Sequence, residues 1–265
     1  NVSGVYHAGL KDYDRNLKVN DSTMYRVASV SKLITTMGLM ALWDKGSFNL
    51  DDDVSLYLGF TLRNPSWPEI PITFRMLLSH TSSIQDGNGY SNFLAATYGN
   101  SSPPHINELF CSDGNYYSSN MWRTEKPGSF FTYSNANFGL VATLIERISG
   151  ERFDEFMRNS ILLPLGVAGS YNVSHIQNIN NLAVLYRNQN GWQAQIDNYQ
   201  GQEPEPIDLT GYELGTNGFI FGPQGGLRCS AFDLAKLVEV HLSLYSQKSN
   251  PILSHEALAL MHQAN

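Results

Sequence analysis

Cysteine is nearly absent. Only Cys111 and Cys229 occur in 265 residues, so no disulfide framework is available and one bridge is the most that can form. Runs of Lys and Arg are missing, and the net charge is −7. Nucleic acid and anionic membrane surfaces both reward basic patches, so neither is an expected partner. No apolar stretch reaches the ~18 residues that a membrane-spanning helix needs. The opening residues, Asn1 to His7, lack the basic and apolar regions of a signal peptide. Neither His-Glu-x-x-His, Cys-x-x-Cys nor a glycine-rich phosphate loop with a lysine is present, so no metal and no cofactor is expected. The absence of Gly-x-Ser-x-Gly argues against an α/β-hydrolase elbow. Four glycosylation sequons, at Asn1, Asn20, Asn100 and Asn172, are about the number chance supplies. A secreted or organellar setting is the expectation, with the mitochondrion as the alternative.

What is present is a globular chain with 42% apolar residues, long enough to bury a substantial core. Val5 to Leu10 is a possible strand, and Tyr25 to Ala28 reads as extended. From Val30 to Lys45 the apolar residues Leu33, Ile34, Met37, Met40 and Ala41 recur at helical spacing, and Gly46 is a natural stop. Ser29 therefore lies at the start of a helix. The acidic run Asp51 to Asp53 reads as a solvated turn and cap, and Thr73 as the cap of a short helix to Leu78. Residues 82–130 are a loop-heavy stretch with short helices. Phe138, Val141, Leu144, Ile145 and Ile148 share one helical face, with Gly150 after it. Another helix carries Phe153, Phe156, Met157 and Ile161 and stops before Pro164. Residues 175–225 suggest short strands and loops. Ser230 and Asp233 form a capping-box pattern for a helix to about Leu244.

Three clusters carry chemistry. On a helix, residues three apart share a face, so the Lys32 amine reaches the Ser29 hydroxyl in Ser29-Val30-Ser31-Lys32. A helix N-terminus and burial both disfavour an ammonium, and a neutral amine can accept the serine proton. The Ser29 N–H is a candidate oxyanion donor. Tyr133-Ser134-Asn135 supplies a phenol that a neighbouring cation helps to ionise, suited to general base and acid work, and a carboxamide that both donates and accepts. Gly225-Gly226, within Gly222 to Leu227, permits unusual backbone angles and close approach to a ligand. Each cluster has a plain structural alternative: a capped helix with a solvated lysine, a core tyrosine beside an Asn cap, and a connector loop. His80 is more simply a structural histidine than a catalyst. Glu203-Pro204-Glu205 reads as a rigid surface loop. His255 and His262 are two helical turns apart and are poor joint metal ligands.

Taken together, the clusters resemble the class C β-lactamase-like serine hydrolases. Tyr25-Arg26-Val27-Ala28 followed by Ser-Val-Ser-Lys looks like that family's opening motif. The segment from Ile72 to Ser82, Pro127-Gly128-Ser129 with Tyr133-Ser134-Asn135, Leu163-Pro164-Leu165-Gly166, and Gly225-Gly226-Leu227 with Asp233-Leu234 resemble later blocks, in family order. Two departures stand out. Ser83 occupies a position where the family usually has Gly, and no Lys-Thr-Gly or His-x-Gly follows the Gly225-Gly226 loop.

The resemblance implies an α/β (α+β) fold of the β-lactamase/transpeptidase-like class, with an antiparallel sheet flanked by helices and an all-helical region. Residues 1–59 would form part of the α/β region, 60–172 the mainly helical region, and 173–265 the return. It implies a serine hydrolase working through an acyl-enzyme. Ser29, Lys32, Tyr133 and Asn135 would be catalytic, and Gly225 and Gly226 would form a substrate-pocket loop. The substrate would be a small molecule or peptide: an ester, amide, D-peptide or β-lactam-like compound. The alternative is a weak or inactive relative with a structural or assembly role. The resemblance begins near a second sheet strand and lacks the third motif, so the chain is expected to be truncated at both ends. The missing strands would come from sequence outside it, a cleaved partner chain or a neighbouring subunit.

Overall fold

The computed structural model describes residues 4–246 and 250–263. Chain order begins with β1 (Leu10–Asp12), β2 (Leu17–Lys18) and β3 (Met24–Arg26). A 3-10 turn, Ala28–Val30, leads into α1 (Ser31–Asp44). Short helices follow: α2 (Ser55–Leu58), α3 (Phe74–Leu78), α4 (Tyr90–Gly99) and α5 (Asn107–Phe110). After them come α6 (Ala136–Ser149) and α7 (Phe153–Phe156), the hairpin β4 (Leu185–Asn188) and β5 (Trp192–Ile196), then β6 (Arg228–Ser230), α8 (Ala231–Leu242) and α9 (His255–His262).

Helix α1 is central because its residues are apolar on nearly every side. Ile34, Met37, Leu39 and Met40 are all essentially inaccessible. Helix α6 is buried from Ala136 to Glu146 and packs against α1. One continuous buried cluster runs through Ile34, Phe74, Leu140, Phe219 and Leu258. Each such side chain contributes roughly 1.5–3 kcal/mol by leaving water.

Small residues set the distances. A Cβ on Gly139 would lie 1.9 Å from Cε2 of Phe219, itself fully buried. Gly139→Ala should therefore destabilise the fold by about 1–3 kcal/mol despite alanine's better helix propensity. A thermal melt should show Tm lowered by several degrees, and an unchanged Tm would mean that the Phe219 ring can swing aside.

The capping expectations hold. Thr73 accepts from the Met76 N–H at 3.3 Å, Gly150 ends α6 with φ 72°, and Ser230 and Asp233 form the reciprocal capping box of α8. Other expectations need correction. Among residues 4–10, only Leu10 is in a strand. The helix carrying Phe153 to Ile161 does stop before Pro164, but as α7 followed by a π turn, Met157–Leu162, and a separate 3-10 turn, Leu163–Leu165, holds Pro164 in its first turn. The acidic run is more than a solvated turn: Asp51 pairs with Arg75 at 2.8 Å, Asp53 pairs with Arg63, and Asp52 accepts from Tyr57 at 2.8 Å.

The mixture of helix and antiparallel strand is the expected class. Among the described residues the strands form three two-stranded pairs, β1–β2, β3–β6 and β4–β5, instead of one sheet. They are too short to share longer ladders. Single hydrogen bonds join them, Ala183 N–H to Met24 O and Val184 N–H to Lys11 O, both 2.8 Å. Cys111 and Cys229 are both free thiols, and burial pushes the Cys229 thiol up to about 12. No helix among the described residues is long and apolar enough to cross a membrane.

Candidate active site

Ser29 sits at the junction of β3 and α1, where the backbone is forced into a tight turn. Ala28, just before it, holds a left-handed conformation with φ 46°, a cost that a non-glycine residue bears only where neighbours fix the chain. The fixing comes from the loop Gly222 to Leu227, laid along this junction. Leu227 O accepts from Val27 N–H at 2.9 Å, and Gly225 O accepts from Arg26 Nε at 3.0 Å. Gln224 O accepts from Lys32 Nζ at 2.7 Å, and Pro223 O accepts from Thr35 Oγ1 at 2.9 Å.

Two side chains converge on the exposed Ser29. The Tyr133 hydroxyl lies 2.8 Å from Ser29 Oγ, and Lys32 Nζ lies 3.2 Å from it. Lys32 is buried and also donates to Asn135 Oδ1 at 2.8 Å. Its Nζ stands 4.9 Å above the Tyr133 ring and 5.6 Å from that of Phe138. The structure thus brings together Ser29, Lys32, Tyr133 and Asn135. Ser31 is different: its hydroxyl is buried and accepts from Leu227 N–H at 3.1 Å.

Gly225 and Gly226 lie beside the cluster for another reason than the one expected. The left-handed residue of the loop is Gly222, with φ 61°, and neither Gly225 nor Gly226 has positive φ. A Cβ on Gly226 would come within 2.7 Å of Gly222 O and 2.8 Å of Phe221 O. Gly226 is needed so that the loop can fold onto itself.

Several participants escaped sequence reasoning. Asp86 accepts from Asn135 Nδ2 at 2.7 Å, Ser134 Oγ at 3.1 Å and Ala136 N–H at 2.9 Å. Its position shortly after the block ending at Ser82 was the available signal. Gln224 acts through its main-chain carbonyl, which leaves no mark in sequence. Ser83 has φ 61°, the region that favours glycine, and its hydroxyl accepts from Asn64 Nδ2 at 2.9 Å, an anchoring bond that offsets the strain. Burial holds the Tyr90 phenol far above its ordinary range, which removes it as a rival base.

His80 keeps a structural part next to the cluster. Its ring packs on Tyr133 with centroids 4.6 Å apart, and Nδ1 accepts from Ser134 N–H at 3.2 Å. Burial, then the Lys32 charge, push it down to about 4, against an opposing pull from Asp86. The folded protein therefore binds this proton more weakly than the unfolded chain, whose histidine titrates near 6.5. The associated stability is complete above pH 6.5 and is lost as pH falls toward 4. The His80 ring protons should keep neutral-imidazole NMR shifts at pH 5.5, and Tm should fall between pH 6.5 and 4 less steeply in His80→Gln. A histidine titrating near 6.5 would contradict this.

Away from Ser29, Asp154, Glu155 and His175 place ligand atoms within 4.8 Å of one another. Asp154 is already engaged by Arg152 and by Asn172 Nδ2 at 2.7 Å, so the group is a satisfied ion-pair network.

Comparison with known proteins places the chain as a whole. The sequence profile of the family described as Beta-lactamase matches residues 3–265. Protein flp of Staphylococcus aureus (strain N315) is 29% identical over 157 residues, 59% of this chain and 30% of that protein. Penicillin-binding protein 4* of Bacillus subtilis (strain 168) is 30% identical over 155 residues, 58% of this chain and 31% of that protein. The chain thus matches under a third of the length of these curated relatives. Among solved structures, the octameric penicillin-binding protein homologue from Pyrococcus abyssi superposes with TM-score 0.67 at 24% identity, over 97% of this chain and 52% of that one. EstCE1, a hydrolase with promiscuous acyltransferase activity, gives TM-score 0.67 at 24% identity, over 97% of this chain and 67% of that one. With the profile spanning nearly its whole length, the chain belongs to the Beta-lactamase family.

Proposed function

We propose that the protein is an acyl-transferring serine hydrolase with Ser29 as nucleophile. The observation that carries this reading is the convergence of Lys32 Nζ and Tyr133 OH on Ser29 Oγ at 3.2 and 2.8 Å. Two of the three Lys32 partners, Asn135 Oδ1 and Gln224 O, can only accept. Two Nζ hydrogens serve these two acceptors, and the remaining position on Nζ faces Ser29 Oγ. That arrangement suits removal of the serine proton as Oγ attacks a carbonyl. Tyr133, exposed on the open side, is placed to pass a proton to the departing alkoxide or amine. The Ser29 N–H is the proposed oxyanion donor. Water then repeats the sequence on the acyl-enzyme.

The substrate we propose is an ester, an amide, a D-peptide or a β-lactam-like compound. EstCE1 is described as a hydrolase with promiscuous acyltransferase activity and another structural neighbour as a D-amino acid amidase, which supports acyl transfer and amide cleavage. The second reading is an assembly role with little or no chemistry, in which a neighbouring subunit completes the strands beside β3. The octameric state in the description of the Pyrococcus protein supports it. A fluorophosphonate probe separates the two. Under the hydrolase reading it forms one adduct, mapped by peptide mass to Ser29 and absent from Ser31. No adduct favours the assembly role, and an adduct elsewhere removes Ser29 as the nucleophile.

A further inference from the structure

We infer that Asp86 is a positioning residue that fixes which end of the Asn135 carboxamide faces Lys32. The inference rests on the hydrolase reading above. An amide can sit two ways in nearly the same space, and only one of them offers Lys32 an acceptor. Here Asn135 Oδ1 meets Lys32 Nζ at 2.8 Å and Nδ2 meets Asp86 Oδ2 at 2.7 Å. An ionised carboxylate accepts and never donates, so it selects this orientation and rejects the reverse.

Asp86 is itself held from the other side. Its Oδ1 accepts from the Ala136 N–H at 2.9 Å, in the first turn of α6, and from Ser134 Oγ at 3.1 Å. A backbone N–H cannot invert its polarity. The carboxylate is thus anchored on one oxygen by main chain and aims the other at Asn135. Asp86 is exposed and makes no hydrogen bond to Ser29 or Lys32, so its hydrogen-bonded route to Lys32 runs through Asn135.

This polarity argument makes a nearly isosteric change severe. In Asp86→Asn, the Ala136 N–H keeps the remaining oxygen, and the new NH₂ falls opposite Asn135 Nδ2. Donor then faces donor. Turning Asn135 over relieves that contact but points its NH₂ at Lys32, which loses an acceptor. The reciprocal pair, Asp86→Asn with Asn135→Asp, restores every donor to an acceptor at unchanged total charge. It also brings a carboxylate into direct contact with Lys32, which favours the ammonium.

The test measures fluorophosphonate labelling and p-nitrophenyl butyrate turnover in the full chain, over pH 5 to 10, with thermal melts. In Asp86→Asn, labelling of Ser29 should be about 10²-fold slower and ester turnover should fall in kcat more than in KM, as expected for a mispositioned general base. The reciprocal pair should recover at least about tenfold of that loss, and its activity should rise only at higher pH than the wild type. A purely structural role for Asp86 would lower Tm while leaving the pH profile in place. Wild-type protein that labels at Ser29, beside Asp86→Asn labelling at an equal rate, overturns the inference alone. Failure of the wild type to label overturns the hydrolase reading and the inference with it. If Asp86→Asn does not fold, the reciprocal pair decides: a folded pair with an unshifted profile also overturns it.

Discussion

Ser29→Ala should abolish turnover of an activated ester, lowering kcat/KM by at least about 10⁴-fold, while the melting temperature stays within a few degrees of the wild type. The size follows from the role. Removing a nucleophile leaves only binding and oxyanion stabilisation, and residual rates in such cases are several orders of magnitude down. The neutral effect on folding follows from position: Ser29 is exposed, and its hydroxyl meets only the Lys32 amine and the Tyr133 hydroxyl. Ser31→Ala should give the opposite pattern. Its hydroxyl is buried and accepts the Leu227 N–H, so its loss orphans a buried donor, costing about 1–3 kcal/mol. Labelling of Ser29 should survive in the folded fraction. Steady-state kinetics beside thermal melts of both variants check this. Hydrolysis at wild-type rate in Ser29→Ala would remove the nucleophile assignment.

Some of this architecture is legible in the residues because it depends on local rules. The apolar spacing from Ile34 to Ala41, the Thr73 cap, the Gly150 stop and the Ser230–Asp233 box each need only a few neighbouring residues. The candidate site is legible for a similar reason. Ser29 and Lys32 are one turn apart, and Tyr133 and Asn135 share a short segment. What a sequence does not display is the partner that arrives from far along the chain through its backbone. Gln224 meets Lys32 by a carbonyl across 192 positions, and any residue type could supply that oxygen. Asp86 was hidden in another way. It stands in a Gly- and Asn-rich stretch where an acidic residue looks like an ordinary turn former, and only the packing of α6 brings it under Asn135.

The strands were misjudged for want of the same long-range knowledge. Val5 to Leu10 has apolar residues at strand-like positions, yet Val5 and Tyr6 are exposed, and the pairing begins only at Leu10. Strand formation needs a neighbour to accept its hydrogen bonds, and pattern alone does not reveal which neighbour is present. The Gly225-Gly226 pair was misread in detail: neither residue makes a left-handed turn, and at Gly226 glycine answers the crowding of the Phe221 and Gly222 carbonyls.

Lys32 is the residue whose replacement should be most informative about mechanism, because two variants separate proton transfer from charge. In Lys32→Arg the guanidinium still donates hydrogen bonds toward Asn135 Oδ1 and Gln224 O, but it does not give up its proton in a protein and so cannot act as a base. In Lys32→Met both donor and base are lost, and two carbonyl oxygens beneath the site lose their partner. If Lys32 takes the Ser29 proton, both variants should fall by about 10²–10⁴-fold in kcat/KM, with Lys32→Arg no better than Lys32→Met. If its part is only to present positive charge near the attacking oxygen, Lys32→Arg should retain most of the wild-type rate. Tyr133→Phe provides the third comparison. It keeps the ring that packs on His80 and under Lys32 and removes only the hydroxyl 2.8 Å from Ser29 Oγ. Should Tyr133 serve chiefly to protonate the leaving group, its loss should slow amides, whose leaving groups need a proton, far more than p-nitrophenyl esters, whose leaving groups depart as stable anions. Equal slowing of both substrates would instead place Tyr133 with Lys32 in the activation of Ser29. The amide-to-ester rate ratio across the three variants is the measurement, and a Lys32→Arg enzyme within tenfold of wild type on both substrates would rule lysine out as the base.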